Sequence, residues 1–184
     1  MGPIRYALCK KPVIGLIMWI SMLCGFPPLI PETDIDLENP GIVLNTTFEV
    51  SVEKSYVLLF SFYFPTDQDR VNDHIIGRYD QYCKWCLTEC DPNNIIRDEE
   101  DRKLYGKVIP VRIIVRKLSD STIVIDKTFQ TMCSIAAGTN DKIREIGWIK
   151  LAEGKFSLEI INISGQPELK GIQTKIMLAA GYGK

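Results

Sequence analysis

Apolar residues recur at every second position over most of this chain, and that period admits little besides β-structure. In residues 42–52, Ile42, Leu44, Phe48, Val50 and Val52 share one parity, with Asn45, Glu49 and Ser51 on the other and Thr46 as a polar exception within the apolar set. Residues 56–64 (YVLLFSFYF) keep Leu58, Phe60, Phe62 and Phe64 in phase and are apolar on both faces, as a strand at the middle of a sheet must be. Residues 107–118 (KVIPVRIIVRKL) alternate again, with a bulge or sheet edge expected at Pro110. The Ser119-Asp120-Ser121 turn then sends residues 122–131 back as a hairpin partner, and further strands are expected over 143–151, 155–163 and 172–180. Glu53-Lys54-Ser55 and Glu153-Gly154 carry reversals between them. The expectation is an all-β, antiparallel, immunoglobulin-like β-sandwich of about seven strands over residues 42–180.

One stretch interrupts the period. Residues 65–106 hold Pro65, Pro92, three clustered cysteines and the mixed-charge run Arg97–Lys103, with a single short helix expected near 70–76. An excursion this long inside a small domain is functional or cross-linked.

The N-terminus fixes the expected compartment. Arg5, Lys10 and Lys11 precede residues 13–30 (VIGLIMWISMLCGFPPLI), which carry no charge. A basic stretch followed by an apolar one reads as a signal peptide, or as a membrane anchor if it is not removed. Pro27 and Pro28 cut the uninterrupted apolar part short of a comfortable span. Cys24 offers lipidation, although Ser21-Met22-Leu23 before it lacks the small residue that such processing expects at the adjoining position. Residues 1–31 are therefore expected to export or anchor the chain, with the domain periplasmic or otherwise outside the cytoplasm, and residues 32–41 to act as a polar linker. With 22 basic and 23 acidic residues the net charge is −1, so no cationic excess points to nucleic acid.

Six cysteines are present, and Cys83, Cys86, Cys90 and Cys133 lie in the domain. In an oxidising compartment an even number reads as two disulfides, with three possible pairings. The Cys83-Lys-Trp-Cys86 spacing with Cys90, completed by His74 or Cys133, also has the ligand types of a zinc site, and the C-x-x-C form is that of a redox pair. The missing second ligand pair weighs against zinc. The absence of a strand-to-helix turn presenting the thiols weighs against redox chemistry. His74 is the one histidine, in Asn72-Asp73-His74-Ile75, where a surface or capping role suits it better than a catalytic triad. Asp67, Asp69 and Asp73 cluster, but a calcium loop wants more oxygens and a glycine at its turn.

Residues Leu151-Ala-Glu-Gly154-Lys-Phe156-Ser-Leu158 have the form of the corner that precedes a central sandwich strand, with phenylalanine where tyrosine is usual. Together with Tyr56-Val-Leu-Leu-Phe60, Ile75-Ile76-Gly77 and Ile109-Pro110-Val111-Arg112-Ile113, it makes the chain resemble an uncharacterised family of exported bacterial β-sandwich domains, often taken for lipoproteins. The resemblance spans most of residues 42–180 and implies only fold and compartment; it carries no residue roles over onto this chain. The function expected is that of a non-enzymatic exported binding domain that offers its 65–106 excursion to a protein partner in the bacterial envelope, an immunity-type protein being one concrete form. A structural envelope or assembly component is the alternative, and a zinc- or thiol-dependent enzyme a more remote one. No cofactor is expected.

Overall fold

In a computed structural model that describes residues 27–77, 106–132 and 134–180, nine strands form two antiparallel sheets. In chain order they are β1 (Ile30–Ile35), β2 (Gly41–Val50), β3 (Lys54–Tyr63), β4 (Ile109–Lys117), β5 (Ile123–Thr131), β6 (Ser134–Ala137), β7 (Asp141–Leu151), β8 (Gly154–Asn162) and β9 (Gln173–Ala180). One short helix, α1 (Asp67–Asn72), follows β3, and a 3-10 turn over Pro167–Leu169 precedes β9. The five-stranded sheet runs β1-β9-β3-β7-β6 and the four-stranded sheet β2-β8-β4-β5. This is the expected sandwich.

β3 lies between β9 and β7, which is why its sequence is apolar on both faces. Phe60 and Phe62 are wholly buried, as are Ile113 and Val115 of β4 and Leu158 and Ile160 of β8 across the core. Phe48 and Phe156 face each other from paired strands with ring centroids 5.7 Å apart. The corner at residues 151–156 packs as expected, Leu151 and Phe156 both turning inward. The tyrosine missing at Phe156 has a counterpart at the preceding reversal. Tyr56 Oη donates to the carbonyl oxygen of Val52 at 2.7 Å and so closes the β2–β3 turn.

Two strands exceed the expected seven, and both are edges. β1 takes in the last two residues of the segment expected to export or anchor the chain, Ile30 and Pro31, and the first four of the expected linker. Only Ile30 of its six residues is buried, so its polar composition is that of a strand exposed along one side. β6 has four residues and pairs with β7 alone. The helix expected near 70–76 forms a few residues earlier, where Thr66 accepts a hydrogen bond from the Asp69 N–H at 3.1 Å and caps its start.

Strand direction gives the sandwich two distinct ends. The β2–β3, β4–β5 and β7–β8 turns lie together at one, and the chain arrives toward the same end, with the Leu29 N–H bonded to the Leu178 carbonyl at 2.8 Å. At the other end the chain leaves after Gly77 and returns at Gly106. We call these the turn end and the neck end.

Candidate functional site at the neck

The neck is built around Arg144. This residue sits on β7 opposite Phe60 of β3, with its side chain in the core and no exposed surface. A guanidinium has five N–H donors, and all five are used. Nε donates to the carbonyl of Ile76 at 3.1 Å, Nη2 to Ile76 and Ile75 at 2.8 Å each, and Nη1 to Lys107 at 2.8 Å and Thr131 at 3.1 Å. The outgoing chain, the returning chain and the end of β5 therefore meet on one cation. Between the two passages the Lys107 N–H donates to the Ile75 carbonyl at 2.8 Å. Burial pulls the Arg144 guanidinium down to about 9, with the Asp73 carboxylate acting the other way. It remains a cation at neutral pH, the state its fork of carbonyl acceptors requires.

Gly106 makes this packing possible. Its φ is +74°, and an added Cβ would stand 2.4 Å from the Ile75 oxygen and 2.7 Å from the Gly77 nitrogen. No side chain fits there without moving backbone.

A second buried cation lies one inward position away. Lys142 Nζ is 2.7 Å from Asp73 Oδ2, and the two side chains are 4% and 3% exposed. The same ammonium stands 5.5 Å from the centre of the Phe64 ring. The Asp73 carboxylate also accepts the Ile75 N–H at 2.9 Å and the Ile76 N–H at 3.1 Å. It thus joins the end of α1 to the first residues of the neck. Removing one partner of so desolvated a pair typically costs about 3–5 kcal/mol.

The three clustered aspartates have separate tasks. Asp67 pairs with Arg70 at 2.7 Å, Asp69 belongs to the α1 cap, and Asp73 belongs to the neck. His74 is exposed. Cys83, Cys86, Cys90 and Cys133 lie outside the described residues, as does the Arg97–Lys103 run. Among the described residues no three His, Cys, Asp or Glu side chains converge on a metal-sized position, and no helix is long and apolar enough to cross a membrane.

Beside the neck is a cleft of about 280 Å³ lined by Asp34, Ile35, Asp36, Leu37, Glu38, Leu169, Ile172, Gln173 and Thr174. Lys107 of the neck forms an ion pair with Glu168, next to the lining residue Leu169. The cleft's acids are partly engaged. Asp34 accepts from Gln173 Nε2 at 2.8 Å, and the Asn39 amide with the Glu38 N–H holds the Asp36 carboxyl below the usual carboxylate range. Asp67 and Glu168 at this end are each matched by a basic partner, Arg70 and Lys107, so the carboxylates in excess are those of the cleft, Asp34, Asp36 and Glu38. The cleft can receive a cationic surface; among the described residues it brings together no nucleophile, base and oxyanion donors of the kind that acyl or phosphoryl transfer needs.

Neither Arg144 nor Lys142 was prominent as a sequence signal. Counting back by twos from Leu151 and Ile149 puts Glu145 and Ile143 in the core. A β-bulge between the Gly147 and Glu145 pairings shifts the parity, and Arg144 and Lys142 turn inward instead.

The family model described as "Domain of unknown function (DUF5625)" matches residues 32–180. No curated protein matches the chain. The crystal structure of a protein from Sulfurospirillum deleyianum superposes with a TM-score of 0.61 at 22% identity, covering 85% of this chain and 100% of that one. At that identity the likeness is one of fold.

Proposed function

The chain belongs to the family described as a domain of unknown function, DUF5625, whose match runs from β1 to the end of β9, and from that premise we propose that it is an exported, non-enzymatic binding domain. It recognises a protein partner of the bacterial envelope with the excursion between Gly77 and Gly106 and the surface around its neck. One observation carries the reading: both ends of the excursion are tied to the buried Arg144, at the opposite end of the sandwich from the arriving chain. Burying a cation is an expensive way to close a loop that only connects two strands. It suits a loop whose footing must be fixed before it meets something else, because a fixed footing lowers the ordering cost of binding. The acidic cleft beside the neck favours a partner with a basic face. An immunity-type protein that neutralises a basic toxin is one form this takes.

The test is affinity capture from envelope extracts, comparing the natural chain with one in which residues 79–104 are replaced by a short Gly-Ser linker. Thermal melting establishes that both are folded. The reading expects a protein retained by the first and lost by the second, with retention weakening as salt rises. The same proteins recovered by both forms would overturn it.

A further inference from the structure

We propose that the cleft beside the neck is a pocket for one lysine side chain of the protein partner, with the ammonium among the Asp34, Asp36 and Glu38 carboxylates and the methylene stem along the apolar lining. The inference rests on the binding-domain reading and deepens it. Ile35, Leu37, Leu169 and Ile172 supply the apolar lining, and no cation lines the cleft. Of the lysines nearby, Lys107 is paired with Glu168, the Lys175 ammonium stands 4.9 Å from the centre of the Tyr63 ring, and Lys170 is exposed beyond Leu169. Carboxylates at a surface need no ligand, but Thr174 points to one. It lines the same cleft, on the inward parity of β9 with Ile176 and Leu178, and is 4% exposed. Its hydroxyl has no hydrogen-bond partner among the described residues. It is not sealed off as Asn162 Oδ1 is, so the cleft is the side from which a donor reaches it. A hydroxyl so far desolvated is costly to leave unbonded.

The arrangement of the acceptors chooses lysine. Among the described residues no three acidic groups converge on a metal-sized position, so the ring of carboxylates suits a larger, organic cation. A guanidinium wants a carboxylate with both oxygens open. Asp36 has both engaged, Oδ1 by the Glu38 N–H at 2.7 Å and Oδ2 by the Asn39 amide at 3.0 Å. Asp34 already accepts from Gln173 at 2.8 Å. An ammonium needs no fork. It is a compact charge with three donors, enough for a carboxylate and the Thr174 hydroxyl together, and its stem is content against aliphatic side chains. The volume of about 280 Å³ lies below that of a usual small-molecule site and takes a single side chain.

The experiment titrates three probes into the isotope-labelled full chain and follows the backbone amides of the cleft. The probes are Nα-acetyl-lysine methylamide, its uncharged counterpart Nα-acetyl-norleucine methylamide, and Nα-acetyl-arginine methylamide. We expect saturable binding of the lysine probe in the millimolar range, weaker binding of the arginine probe and none of the norleucine probe. Thr174→Val replaces the hydroxyl by a methyl group of similar size and should weaken the lysine probe by about fivefold, the worth of one hydrogen bond. Glu38→Gln removes a charge and should weaken it several-fold, with thermal melting to show that both variants are folded. No saturable shift, norleucine or arginine bound as tightly as lysine, or an affinity that either substitution leaves unchanged would each overturn the proposal. Capture from envelope extracts separates this pocket from the reading beneath it. A protein held by the natural chain, and less tightly by both variants, supports the two together. A protein held equally by all three overturns the pocket and leaves the binding domain standing. Binding of the lysine probe with no protein captured would assign the pocket to a free amine, and would overturn the partner's lysine along with the binding-domain reading.

Discussion

Arg144 of β7 donates twice to the carbonyl oxygen of Ile76, through Nε at 3.1 Å and Nη2 at 2.8 Å, and so fixes the last described residues before the excursion to the core. Arg144→Met keeps the apolar stem and removes the guanidinium from four neck carbonyls, of which Ile75 keeps the Lys107 N–H. We expect a loss of about 3–5 kcal/mol in urea unfolding. Arg144→Lys retains the charge but has three donors for those carbonyls, and should lose about 1–3 kcal/mol. Equal stability of natural and Met forms would show that the contacts contribute nothing.

Asp73 and Lys142 should behave as one unit. Asp73→Asn and Lys142→Met each strand a buried partner, and each should cost about 3–5 kcal/mol. The double variant should lose less than the sum by at least about 1 kcal/mol. Strict additivity in the cycle would mean that the 2.7 Å contact carries no coupling.

Two glycines with the same backbone hand separate strain from collision. Gly171 has φ +85° and open space where a Cβ would go, while Gly106 has φ +74° and backbone atoms within 2.7 Å. Gly171→Ala should cost about 1–2 kcal/mol, the left-handed penalty alone. Gly106→Ala should cost clearly more, and thermal melts of the pair read the difference. Equal costs would show that the neck is loose enough to accept a methyl group.

Glu145 sets a pH dependence with a defined sign. Burial pushes its carboxyl above the usual value of 4.5, and the indole N–H of Trp148, bonded at 2.7 Å, opposes the shift. The folded protein therefore holds this proton more tightly than the unfolded chain does. Its contribution is present below the usual carboxylate range and declines as pH rises through the folded value. Glu145→Gln mimics the protonated form, so its stability relative to the natural protein should improve between about pH 4 and pH 7. A difference that stays flat over that interval would contradict this.

Much of the fold was legible because long strands leave a two-residue signature. β3, β4, β7 and β8 all lie where the alternation put them, and the doubly apolar run at 56–64 is the strand between β9 and β7. β1 was hidden because an edge strand needs few apolar residues, and Pro31 and Asp34 are at home on its open side. The neck was hidden for a different reason. The bulge beside Ile146 reverses inside and outside for half of β7, and no local composition marks it. His74, the neighbour that drew notice in the sequence, is exposed, while Asp73 beside it carries the buried pair.

Amide hydrogen exchange at Lys107 tests whether the excursion stands on a fixed footing, because its N–H bridges the returning and outgoing chain at 2.8 Å. In the natural protein this amide should exchange nearly as slowly as those of β3. In Arg144→Lys it should exchange much faster, with β3 still protected, as a local opening of the neck requires. Rapid exchange at Lys107 in the natural protein, or a rate unaffected by Arg144→Lys, would contradict a neck held by Arg144.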